Sequence, residues 1–158
     1  MSTRLAVSKA PVLSFFGASL FVLFSFFVGP AAFADTPDSL SGATVVDASR
    51  VKDLISSGVP IFDARVANEY VESHIKGAIN VPYKEKSAPS VDFDVKQDHV
   101  DLSKLPENKS SPLVIYCNGP ECWKSYKESV AAIKAGYKKV YWFRTGMPAW
   151  QAKGYSVE

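Results

Sequence analysis

Cys117 and Cys122 are the only two cysteines among 158 residues, and both lie in one stretch, LVIYCNGPECWKSY, residues 113–126. A run of apolar, β-favouring residues ends on Cys117. Asn118, Gly119, Pro120 and Glu121 then form a turn, and Cys122 and Trp123 open a helical pattern. A crosslink over so small a loop removes little chain entropy, so chemistry explains the pair better than stability does. At the end of a strand, backbone N–H groups curled into a nest favour thiolate over thiol, and so does the positive end of the following helix. They can bring a cysteine from ~8.5 down to where it is nucleophilic at neutral pH. Lys124, in the first helical turn, adds positive charge if its side chain bends toward the loop. The plainer reading of Cys117 is a small apolar residue ending a core strand.

Cys122 has two readings of equal weight. It is an inert thiol in the first turn, or it attacks Cys117 Sγ when that residue carries a further sulfur, releasing sulfide and leaving a Cys117–Cys122 disulfide, which is resolving-cysteine chemistry. A disulfide requires Cα atoms within ~7 Å, which a curled loop permits. Phosphatase chemistry on a cysteine loop needs Cys-x5-Arg for bidentate phosphoryl binding, and position 123 is Trp. Thioredoxin-like redox centres use Cys-x-x-Cys, and the spacing here is Cys-x4-Cys. Two cysteines without further ligands complete no tetrahedral metal site, so neither a metal nor a cofactor is expected.

Elements that position the pair follow from periodicity. TVVDASRVKDLISSGVP reads as a short strand, a cap at Asp47 or Ser49, and a helix with Val51, Leu54 and Ile55 on one face. PIFDAR contains a buried strand from 61 to 63, VANEYVESH a short helix, GAINVPY another strand. Residues 84–111 are polar and irregular, with a short helix around HVDLSKL. PLVIY is a buried strand, and CWKSYKESVAAIKAGY a helix with Tyr126, Val130 and Ile133 on one face. KKVYWF is the last strand, and a helical turn and tail follow. Alternating strands and helices predict an α/β fold, a central parallel β-sheet flanked by helices on both faces. Reactive groups then gather beyond the carboxyl ends of strands, which singles out Asp63 and Arg65 as well as Cys117.

Residues 1–34 read as a secretory signal peptide: basic Arg4 and Lys9, an apolar stretch, and Ala32-x-Ala34 before Asp35. The apolar stretch approaches the ~18 residues that span a bilayer, so an uncleaved anchor is the alternative and the only membrane contact expected. Residues 35–43 read as a flexible lead-in and 44–158 as one domain. Without Arg4 and Lys9 the 18 basic residues match the 16 acidic ones, which leaves no basic footprint for nucleic acid. Export predicts a periplasmic location and oxidising surroundings.

The chain resembles the single-domain rhodanese-like sulfurtransferases. IFDARVANEYVESHIKGAINVPY resembles the family's strand, Asp-x-Arg, short helix and His-Ile-x-Gly segment. LVIYC resembles its nucleophile strand, and AGYKKVYWFRTGMPAWQAKGYSVE its closing strand and Gly-x-x-x-Trp turn. The resemblance implies a rhodanese-like fold and a persulfide intermediate on Cys117. Residues 118–122 would complete its cradle, a small sulfane-sulfur donor would supply the sulfur, and a thiol or protein would accept it. A non-catalytic binding module and a thiol-disulfide protein with a periplasmic redox partner are the alternatives. Asp63, Arg65 and His74 match family positions, with scaffolding the better account of Asp63; nothing speaks for His99. The cradle departs from the family where Gly119 stands third and Pro120, without an N–H, fourth. Glu121 disfavours a doubly charged donor such as thiosulfate unless it turns outward. The Cys122–Trp123 pair resembles exported rhodanese-like proteins associated with quinoprotein alcohol oxidation, although a tryptophan packing the helix start is the plainer account.

Overall fold

The computed structural model describes residues 34–158, so the expected leader falls, but for Ala34, outside the described residues. Five strands form one parallel sheet: β1 (Ala43–Val45), β2 (Ile61–Asp63), β3 (Ile79–Asn80), β4 (Pro112–Tyr116) and β5 (Lys139–Phe143), in the order β1-β5-β4-β2-β3. Four helices accompany them: α1 (Ala48–Ser56), α2 (Ala67–Glu72), α3 (Trp123–Lys134) and, after β5, α4 (Gly146–Ala152). A single 3-10 turn at Leu102–Lys104 stands where the HVDLSKL helix was expected.

β4 takes the centre of the sheet because an unbroken apolar run suits a strand covered on both sides. Val114 and Tyr116 face α1 and α4, packing with Val51, Leu54, Met147 and Trp150. Leu113, Ile115 and Cys117 face the opposite layer, with Ala132 of α3. Full burial of each aliphatic side chain contributes about 1.5–3 kcal/mol. α1 starts where expected, since the Asp47 carboxylate accepts the Arg50 N–H at 2.8 Å as an N-cap.

Two regions differ from the sequence reading. Residues 35–43 are not a free lead-in. Thr36 is buried and donates both its N–H and its hydroxyl to the Pro120 carbonyl, each at 2.8 Å. Arg144 in turn donates to the Thr36 carbonyl at 2.6 Å, and Trp123 Nε1 donates to the Ala34 carbonyl at 2.9 Å. These groups need partners once buried, and no local pattern announces a contact across 84 residues.

The buried face of α3 also differs. Tyr126 is buried, but Val130 and Ile133 are only half covered, and Ser125, Lys127, Glu128, Ser129 and Ala132 are fully enclosed. Lys127 anchors the irregular segment 84–111: its ammonium lies 2.6 Å from Glu85 and 2.9 Å from the Ser87 hydroxyl. The partners of Lys127 are distant in sequence, so no local pattern marks it as buried.

Neither carboxyl oxygen of Glu128 has a hydrogen-bond partner among the described residues. Burial, and after it the charge of Asp63, push the group well above the usual carboxylate range. The folded chain therefore holds a proton that the unfolded chain releases near pH 4.3. The contribution of this group to stability is fully present below that value and is lost as pH rises toward the folded pKa. Glu128→Gln is expected to remove this decline and raise stability near neutrality by about 1–3 kcal/mol. Urea denaturation of both proteins between about pH 4.5 and 7 checks it: parallel pH dependences would sink the assignment.

Candidate active site

Cys117 leaves the carboxyl end of β4, and the chain turns at once through Asn118–Glu121 into α3, for which Cys122 is the N-cap. Gly119, with φ +127°, and the Cys122 N–H to Gly119 carbonyl bond at 3.0 Å close that turn. Packed behind it is Gly146, whose φ is +53° and whose next N–H, that of Met147, donates to the Cys117 carbonyl at 2.9 Å. A Cβ on Gly146 would lie 2.0 Å from that carbonyl oxygen and 2.9 Å from the Gly119 nitrogen. Only glycine fits.

The turn directs the two sulfurs differently, and it overturns the thiolate expected at Cys117. That side chain points inward with no exposed surface. Its Sγ lies 3.0 Å from the Cys122 carbonyl oxygen, to which it donates, and 3.0 Å from Ser125 Oγ. Burial pushes this thiol well above its ordinary pKa, with the Cys122 sulfur adding to the rise, against the opposing pull of the Ser125 hydroxyl and N–H. Cys122 is the ionisable partner. The Cys117 thiol beside it, the N–H groups of Asn118 and Lys124 and the Lys124 charge bring it down to about 6, against the opposing effect of burial. Both cysteines are free thiols here.

Cys122 lines a cavity of about 330 Å³ with Glu85, Pro89, Glu121, Trp123 and Lys124. Glu121 is exposed at its mouth, and Lys124 bends not to the sulfur but to Glu85, 3.4 Å away. Trp123 is buried against Tyr126, beside Trp142, in the packing role. Pro120 offers its carbonyl to Thr36. Asn118 points the other way, its amide on Glu69. A larger cavity, about 760 Å³, lies at the ends of β1 and β5, and neither cysteine lines it.

Asp63 and Arg65 form a separate unit. The Asp63 carboxylate takes the Arg65 guanidinium at 2.6 Å, the Arg65 N–H at 2.9 Å and the Tyr116 hydroxyl at 2.6 Å. Arg65 also donates to the Ser73 carbonyl at 2.7 Å. The pair therefore braces the ends of β2 and β4 on the side away from Ser125, and neither hydrogen-bonds to a sulfur. His74 stacks on Tyr70 and accompanies the tail, and His99 exchanges backbone hydrogen bonds with Lys84. Among the described residues no three of His, Cys, Asp and Glu gather as a metal site would require. Ser125, Trp142 and Gly146 are the site residues that motif reading missed. Gly146 alone carried a signal, as the glycine of the quoted Gly-x-x-x-Trp turn.

The sequence pattern of the rhodanese-like domain matches residues 47–153. The chain is 25% identical over 122 residues to Protein HIGH ARSENIC CONTENT 1, mitochondrial, of Arabidopsis thaliana, covering 76% of this chain and 69% of that protein. The crystal structure of the Alr3790 protein from Anabaena sp. superposes with a TM-score of 0.53 and 26% identity, over 72% of this chain and 90% of that one. Thiosulfate sulfurtransferase from Pseudomonas aeruginosa shares the fold at a TM-score of 0.53 and 22% identity, over 73% of this chain and 20% of that one.

Proposed function

We propose that this chain, which belongs to the rhodanese-like domain family, is a sulfurtransferase whose first thiol is Cys122 and whose buried partner is Cys117. One observation carries the order of the two. Cys122 combines access to a cavity with a lowered pKa, whereas Cys117 has neither. A nucleophile needs both.

The Cys122 thiolate attacks the terminal sulfur of a donor persulfide R–S–SH. The Cys122–sulfur bond forms, the donor's S–S bond breaks, and the electron pair leaves on R–S⁻. An external thiolate then takes the terminal sulfur and restores Cys122. Alternatively Cys117, having lost its proton, attacks Cys122 Sγ and expels HS⁻, leaving a Cys117–Cys122 disulfide that a thiol reductant reopens. The lowered pKa makes loading pH-dependent, so its rate rises through about pH 6 and levels above it.

A small donor and a thiol or protein acceptor are the partners this chemistry needs, and export through the leader would supply a periplasmic reductant. Glu121, exposed beside the cavity, disfavours a doubly charged donor such as thiosulfate, while Glu85 is paired with Lys127 and Lys124. Mass spectrometry after treatment with a persulfide donor tests the order. A 32-dalton adduct is expected in Cys117→Ser and not in Cys122→Ser. An adduct only in Cys122→Ser restores the family's usual order on Cys117. No adduct with any donor leaves a rhodanese-like binding module.

A further inference from the structure

Ser125 is fully buried, and its hydroxyl lies between two other buried groups. Trp142 Nε1 on β5 donates to Ser125 Oγ at 3.0 Å, and Cys117 Sγ lies 3.0 Å from that same oxygen. A serine hydroxyl has one proton to give. The tryptophan N–H can only donate, so it takes a lone pair of Oγ and leaves the serine proton directed at the sulfur. The Cys117 S–H meanwhile has its own acceptor, the Cys122 carbonyl. The three groups form a directed chain, from indole N–H to hydroxyl to sulfur.

We propose that Ser125, oriented by Trp142, donates its hydroxyl hydrogen bond to the Cys117 sulfur as that sulfur departs when a Cys117–Cys122 disulfide is opened. The inference rests on the reading that the pair carries thiol chemistry. In the step, an external thiolate attacks Cys122 Sγ, the new mixed disulfide forms there, and the Cys117–Cys122 bond breaks. Its electron pair comes to rest on Cys117 Sγ, which is fully buried. Among the described residues no cation hydrogen-bonds to that sulfur, and Lys124 is turned to Glu85. Cys122 is the titratable group beside it; Ser125 of α3 and Trp142 of β5 do not ionise. The Ser125 O–H is therefore the side-chain donor available to the developing anion, and hydrogen bonds to charged groups are the strong ones. Ser125 touches a reacting atom and is catalytic in that sense. Trp142 is a positioning residue.

The test uses the full chain, closed to the disulfide with oxidised glutathione and opened with a small thiol, with folded fraction followed by circular dichroism. Ser125→Ala is expected to slow opening about tenfold to a hundredfold and to shift the glutathione equilibrium toward the disulfide by a similar factor. Ser125→Thr keeps the hydroxyl and restores most of the rate. Trp142→Phe keeps an aromatic ring, drops the N–H, and gives an intermediate loss. A folded Ser125→Ala protein that opens at the wild-type rate overturns the proposal, as does a wild-type pair that oxidised glutathione does not close. If the pair opens as expected but no persulfide ever loads, the sulfurtransferase reading fails and the role of Ser125 stands.

Discussion

Gly146→Ala is expected to cost about 2–5 kcal/mol of folding stability and to alter the cysteine pair even in the molecules that remain folded. Two costs add. An L-residue held at φ +53° leaves its favoured backbone regions, at about 1–2 kcal/mol. The new methyl must also be accommodated where a carbonyl oxygen would lie 2.0 Å away, and overpacking of this kind typically costs about 1–3 kcal/mol. The obstructing atom is backbone, so no side chain can swing aside. What moves is the Cys117–Gly119 segment, and with it the wall that buries the Cys117 thiol. Chemical denaturation reads the first effect, and alkylation of Cys117 under native conditions reads the second, expected to accelerate. Gly58→Ala is the control: its φ is +81° but nothing lies within 4 Å, so it is expected to lose only the conformational term and leave alkylation unchanged. Equal losses in the two variants would refute the close-contact argument.

The parts of this molecule that repeat at short range were legible in its sequence. PLVIY announced a buried strand because four consecutive apolar residues admit little else, and Asp47, one of the two caps expected, starts α1 through a contact three residues away. The strand–turn–helix around Cys117 was legible for the same reason. The direction of the sulfurs within the turn was not. Periodicity says that Cys117 and Cys122 flank a loop, yet which sulfur meets the helix N–H groups depends on the turn closing through Gly119 and on Gly146 behind it, 29 positions from Cys117. The same limit hid the inner face of α3. Lys127 and Glu128 have the side chains of a solvated face, and only the segment around Glu85 and Ser87, folded back over 40 residues, encloses the lysine. Thr36 belongs to this class too. Contacts between distant polar groups leave no local pattern, and they are what distinguishes this cradle from a generic one.

Asp63→Ala is expected to destabilise the fold by about 3–5 kcal/mol, the usual consequence of removing one partner from a buried ion pair. The carboxylate is fully enclosed and serves four donors on Arg65 and Tyr116, and its loss strands a guanidinium whose side chain is only 6% exposed. The Ser73 carbonyl, its remaining hydrogen-bond acceptor, and the Tyr116 ring beneath it are both neutral. Removing both charges should therefore hurt less than removing one, so Asp63→Ala combined with Arg65→Met is expected to recover at least half of the loss. The functional consequence separates bracing from catalysis. Neither Asp63 nor Arg65 hydrogen-bonds to Cys117 or Cys122, so sulfur loading per folded molecule is expected to change less than threefold in the double variant. Urea denaturation and persulfide loading measured on the same samples decide it. A double variant as unstable as Asp63→Ala would show that the guanidinium charge is not what makes the single substitution costly. A stable double variant with loading lost would move Asp63 and Arg65 from the frame of the site into its chemistry.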